Sequence, residues 1–186
     1  MPNGTARMLA SSCFQPAIQR DRSTVLRMAS KRAIKPKVDV QVSYGLPKKG
    51  LPKEADFLAW ATAAVGKLRP AAEVSLRVVD EAEGRELNRQ YRHKDYATNV
   101  LSFPADLPPA LGLPLLGDVI LCAPVVAREA AAQGKPLADH YAHLAVHGVL
   151  HLLGYDHETI SDARTMEGLE VQILESMGIS DPYAER

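Results

Sequence analysis

The chain has 186 residues, 46% of them hydrophobic, with 22 basic residues against 22 acidic ones; this suits one domain with a sizeable core, and no apolar run nears the roughly twenty residues that span a bilayer. The neutral total hides an asymmetry, because residues 1–37 carry eight Lys or Arg against one acid and leave fourteen basic and twenty-one acidic residues to the rest. An acidic folded part excludes nucleic-acid binding driven by global charge, so any such surface must be a local patch.

Residues 1–37 show no sustained periodicity and are interrupted by Pro2, Gly4, Pro16 and Pro36. They read as a flexible, dispensable basic extension, although a transit peptide, an upstream start codon or an RNA-attracting arm fits the same composition. Cys13 and Cys122 lie far apart, which argues against a disulfide framework and for a reducing, cytoplasmic location; an organellar one follows if the extension is a transit peptide.

A single domain is expected over 38–186. Val38 to Tyr44 alternates apolar and polar residues as a half-buried strand does, and Gly45 to Pro52 is a loop. Lys53 to Arg69 carries Phe57, Leu58, Trp60, Ala61, Ala64, Val65 and Leu68 at helical spacing, with Trp60 as a core anchor and Pro70 as the stop. Val74 to Asp80 is a second strand. Glu81 to Tyr91 is a short helix with Leu87 and Tyr91 on one face and Arg85, Arg89 and Arg92 in a basic stripe that runs on into His93 and Lys94. Thr98 to Phe103 is a third strand, Asp106 to Pro114 a loop, and Leu116 to Cys122 a fourth strand whose short link permits antiparallel pairing with the third. Ala123 to Gln133 is helical, Pro136 opens another helix, and Glu158 to Met177 is a last amphipathic helix ended by Gly178. Four strands and about five helices predict an α+β (α/β-type) single domain with a mixed four-stranded sheet.

The stretch His147-Gly-Val-Leu-His151-Leu-Leu-Gly-Tyr-Asp-His157 organises the rest. In a helix running from about Pro136 to Leu153, His147 and His151 lie one turn apart on the same face. Gly154 can take the left-handed conformation that ends a helix, and two further residues bring His157 back toward the pair. Leu144, Ala145, Val146, Val149, Leu150, Leu152 and Leu153 make this helix apolar on nearly every side and therefore central. Three neutral imidazoles suit zinc, one ion per chain, with a fourth position left for water. Zinc proteases place a glutamate beside the first histidine as general base; Gly148 stands there, which counts against peptide hydrolysis by that route. Asp156, Glu158, Asp139 and Asp118 are candidates to orient a ligand ring, and His140 and His143 are read as supporting or surface residues.

That histidine block resembles the signature of the YbeY family of bacterial and organellar endoribonucleases. So do Tyr91-Arg-His-Lys-Asp95, Thr98-Asn-Val-Leu-Ser-Phe-Pro104 and Gly117-Asp-Val-Ile120, over roughly residues 38–178. The resemblance implies a zinc-dependent, single-strand-specific endoribonuclease acting in ribosomal RNA maturation, at the 3′ end of the small-subunit RNA, and in ribosome quality control. It implies His147, His151 and His157 as metal ligands and Arg92 as the catalytic arginine, and it includes Asn99 and Ser102 without defined roles. Single-stranded RNA, an rRNA precursor, the small ribosomal subunit and an assembly GTPase are the implied partners, with no membrane. Arg85, Arg89 and Lys94 are expected to bind substrate phosphates. A ribosome-assembly factor with a structural zinc and a metallohydrolase of another substrate are the competing readings.

Overall fold

The alternating and helical stretches form, in order, β1 (Lys37–Tyr44), α1 (Glu54–Val65), β2 (Ala71–Val79), α2 (Glu81–Arg92), β3 (Val100–Pro104), β4 (Leu115–Cys122), α3 (Ala123–Ala132), α4 (Leu137–Leu152) and α5 (Ile160–Ser176). These come from a computed structural model that describes residues 36–66, 68–108 and 111–184. The expected extension therefore lies outside the described residues apart from Pro36 and Lys37, as do Cys13 and part of the 106–114 loop.

The four strands make one mixed sheet in the order β1-β2-β4-β3. β1 pairs with β2 and β2 with β4 in parallel, while β3 runs antiparallel to β4 along the edge. A parallel neighbour needs a crossover, which α1 supplies between β1 and β2. The close approach of β3 to β4 depends on Gly117, whose φ is +134° and where a Cβ would collide with the Phe103 carbonyl oxygen. Period-two alternation sends Val74, Leu76, Val78, Val119 and Leu121 into the main core and Val79, Ile120 and Cys122 into a smaller cluster with Val125. The main core is completed by Phe57 and Trp60 from α1, Tyr141, Leu144, Val146, Val149, Leu150 and Leu152 from α4, and Met166 and Leu174 from α5. Trp60 meets Phe57 edge-on at 5.2 Å, as an anchor should.

The predicted central helix is central: α4 packs against α1, α3, α5, β3 and β4. Boundaries shifted where turn chemistry outran periodicity. α1 stops at Val65 because Gly66 turns the chain with φ +46°, so Leu68, expected on the helix, is 45% exposed. Leu58 points outward too. α5 begins only after Thr159, whose hydroxyl oxygen accepts from the Asp162 N–H at 3.1 Å, and Ile160 in its first turn is 76% exposed. On α2 the seat is not Leu87 and Tyr91. Gly84 and Asn88 are the buried residues there, Gly84 lying against the Cys122 sulfur and Asn88 donating its amide to the Tyr96 carbonyl at 2.6 Å.

Candidate metal centre

His147 and His151 project from the last turns of α4 with their Nε2 atoms 3.1 Å apart. The helix closes with Gly154 at φ +92°. The Tyr155 N–H reaches the Leu150 carbonyl at 3.1 Å and the Gly154 N–H the His151 carbonyl at 3.0 Å, the paired bonds of a Schellman motif. The Asp156 carboxylate then accepts from the His157 N–H at 2.8 Å. This turn carries the His157 ring to 5.6 Å from His147 and 5.0 Å from His151 between centroids. One nitrogen from each of the three rings lies within 4.8 Å of the other two.

The donor set fits a divalent ion. Tetrahedral zinc with bonds near 2.0–2.1 Å separates its ligand atoms by about 3.3 Å, and the two helical nitrogens already stand at that spacing. The protonation pattern agrees as well. His147 Nδ1 lies 2.7 Å from Glu170 Oε1, so its Nδ1–H donates to the carboxylate and its Nε2 lone pair faces the other rings. Burial, reinforced by the neighbouring His147 and His157, pushes the His151 pKa down and keeps that ring in the neutral form a metal requires.

Glu170 is the residue that sequence reasoning missed. It sits on α5 with no solvent exposure. Burial alone would raise its pKa, but hydrogen bonds from His143, His147 and Tyr183 outweigh it and hold the carboxyl down at about 2. The signal was available: Glu170 interrupts the apolar stripe of Met166, Leu169, Ile173 and Leu174, and a carboxylate on a buried face needs donors. His143 Nε2 is one of them, at 3.1 Å. The grouping of His143, His147 and Glu170 is thereby accounted for as two imidazole N–H groups on one carboxylate. His140, 3% exposed, has its own carboxylate in Glu129 at 2.9 Å, and Glu129 also accepts from the Asn99 amide at 3.0 Å.

The carboxylates expected to orient a ligand take other places. Asp156 shapes the turn and stays 3.9 Å from His151 Nδ1, Glu158 lines the cleft rim, Asp139 lies in the first turn of α4 and Asp118 is exposed on β4.

The three histidines open onto a cleft of about 570 Å³ that is also lined by Arg92, Asn99, Ser102 and Pro104. Arg92 ends α2, just before His93 turns the chain at φ +58°. Among the described residues it makes no ion pair, so its guanidinium is available to an anion. Arg85 instead grips Asp95 through two bonds of 2.8 and 2.7 Å, and Arg89 holds Glu86 at 2.8 Å. Neither lines the cleft, nor does the exposed Lys94. Asn99 Oδ1 accepts from the Val100 N–H at 2.7 Å and the Ser102 hydroxyl donates to the Gly148 carbonyl at 3.2 Å; both tie the cleft wall to its surroundings. Gly148 packs on β4 so closely that a Cβ would lie 2.6 Å from Val119 Cγ1. No glutamate fits where a zinc protease keeps its base.

A family model described as Endoribonuclease YbeY matches residues 37–178. Proteins called Endoribonuclease YbeY from Xanthomonas axonopodis pv. citri and Stenotrophomonas maltophilia are similar at 60% and 59% identity over 153 residues, 80% of this chain and 94% of each relative. The solution structure of TM1509 from Thermotoga maritima is similar in fold, with a TM-score of 0.50 and 23% identity over 78% of this chain and 99% of that one.

Proposed function

The chain belongs to the YbeY family, and on that premise we propose that it is an endoribonuclease, a hydrolase of RNA phosphodiester bonds, acting in ribosomal RNA processing. We further propose that it depends on zinc held by His147, His151 and His157 and that it takes single-stranded RNA, including the 3′ end of the small-subunit rRNA precursor, in the cytoplasm. The observation that carries this reading is the convergence of three imidazole nitrogens in a cleft that is also lined by an arginine without an ion-pair partner among the described residues.

Zinc, when bound, supplies Lewis acidity and a water acidified toward neutral pH. The remaining steps belong to the chain. Glu170 fixes His147 in the tautomer whose Nε2 is a lone pair. Arg92 takes the charge that gathers on the non-bridging phosphate oxygens as water attacks, its planar guanidinium giving two parallel hydrogen bonds without losing its proton. An unpaired strand can present its backbone to this cleft without the cost of opening a duplex. Arg85, Arg89 and Lys94 steer the strand from outside the cleft, the first two weakly because Asp95 and Glu86 neutralise them. The small ribosomal subunit, an assembly GTPase and a place in ribosome quality control rest on the family resemblance. No described helix is long and apolar enough to cross a membrane.

The test is cleavage of a small-subunit precursor RNA with and without a chelator, with casein as a parallel substrate. RNA cleavage that stops on chelation and returns with zinc, with casein intact, is expected; chelator-resistant RNA cleavage rules the reading out.

A further inference from the structure

The carboxylate behind the metal centre is held from the far side by a residue of the segment that follows α5. The Tyr183 hydroxyl donates to Glu170 Oε2, while Glu170 Oε1 takes the Nδ1–H of His147. The tyrosine ring stands edge-on to His143 at 5.4 Å. Its segment is pinned in turn: Lys135 Nζ donates to the Pro182 carbonyl at 2.6 Å, and the Asp181 side chain accepts the Tyr183 N–H at 2.8 Å. Residues 181–184 lie beyond the stretch matched by the family model.

We propose that Tyr183 is a positioning residue for the metal centre, acting through Glu170 on the tautomer and orientation of His147. This rests on the reading of His147 as a ligand. Glu170 has no solvent exposure, so its two oxygens must be satisfied by protein donors. Tyr183 and His143 saturate Oε2 and leave Oε1 for His147 alone. Without the hydroxyl, Oε2 keeps one donor, and the carboxylate can rotate to share His143 and His147 differently. His147 then spends part of its time with the proton on Nε2, the atom the metal needs bare. The proton count is consistent: with Nε2–H of His143 donating, its Nδ1 is a bare lone pair, and that buried atom has no hydrogen-bond partner among the described residues, which costs less than an unpaired N–H.

The experiment compares Tyr183→Phe with wild type, using the full chain and zinc alone as the probe. Zinc affinity is measured by competition with a chromophoric chelator, and the His147 tautomer is read in the metal-free protein by nitrogen-15 imidazole NMR. Outer-shell partners typically contribute 10–100-fold to metal affinity, and Tyr183 stands one bond further out, so a loss of about three- to tenfold is expected. With it the His147 signals move from a pure Nδ1–H pattern toward a mixed one. Lys135→Met, which frees the segment without touching Glu170, should move both readouts in the same direction by less. Unchanged affinity and an unchanged tautomer in a folded Tyr183→Phe protein overturn the positioning role. Wild-type protein that binds no zinc overturns the metal reading itself, and the two failures are thus distinct.

Discussion

α2 and α4 both border the cleft and both carry polar side chains at helical spacing, yet only α4 delivers its stripe to one point. Arg85, Arg89 and Arg92 lie on an exposed helix, where each cation can find a carboxylate close by, and two of the three have done so with Asp95 and Glu86. His147 and His151 lie on a helix buried by five neighbouring elements, where a polar group must be used or satisfied. Burial turns a periodic pattern into a site; exposure leaves it free to cancel itself.

The sharpest way to break this contrast is on α4. His147→Ala or His151→Ala is expected to abolish zinc binding and RNA cleavage together, checked by metal analysis and a turnover assay on unstructured RNA. On α2, Arg92→Glu should lower cleavage by about 10²–10³ with zinc content intact; undiminished turnover in a folded, zinc-loaded variant would remove Arg92 from the chemistry and favour a structural zinc. Glu170→Gln comes next, with zinc affinity down by roughly 10–100-fold in a competition titration.

The same variant has a pH signature. A carboxyl whose folded pKa is about 2 against an ordinary 4.5 contributes stability that is present above pH 4.5 and lost as pH falls toward 2. His140 and His151, both depressed below 6.5 chiefly by burial, add a loss that begins near pH 6.5 as those rings are forced to protonate. Denaturant unfolding of the metal-free protein across this range should show both limbs in wild type. Glu170→Gln should keep the upper one and flatten the lower. The smallest effects belong to Arg85→Gln and Arg89→Gln, about twofold or less in cleavage, because exposed ion pairs contribute little. A large loss at either position would mean that its carboxylate partner yields to substrate, and the contrast between the helices would narrow.

Much of the fold was legible because its signals are local. Val38–Tyr44 and Val74–Asp80 alternate, the apolar α4 advertises its own burial, and Gly154 marks the turn that returns His157. The short connection between β3 and β4 permits the antiparallel pairing that they adopt. What escaped depends on partners distant in sequence. Nothing local reveals that Asp95 will claim Arg85, ten residues away, or that Glu170 will meet His147 across twenty-three residues. In the sequence Gly148 marks only a missing protease base; its close approach to Val119 makes it a place where α4 seats on the sheet, and Gly148→Ala is expected to destabilise the protein by about 1–3 kcal/mol through overpacking.

Cleavage is expected to require one ion gripped by the three imidazoles. Stepwise addition of zinc to metal-free protein, with cleavage of unstructured RNA followed at each step, tests it most directly. Activity should rise from background and level off at about one equivalent per chain. Full cleavage before any zinc is added, or a rise that ignores stoichiometry, would contradict it.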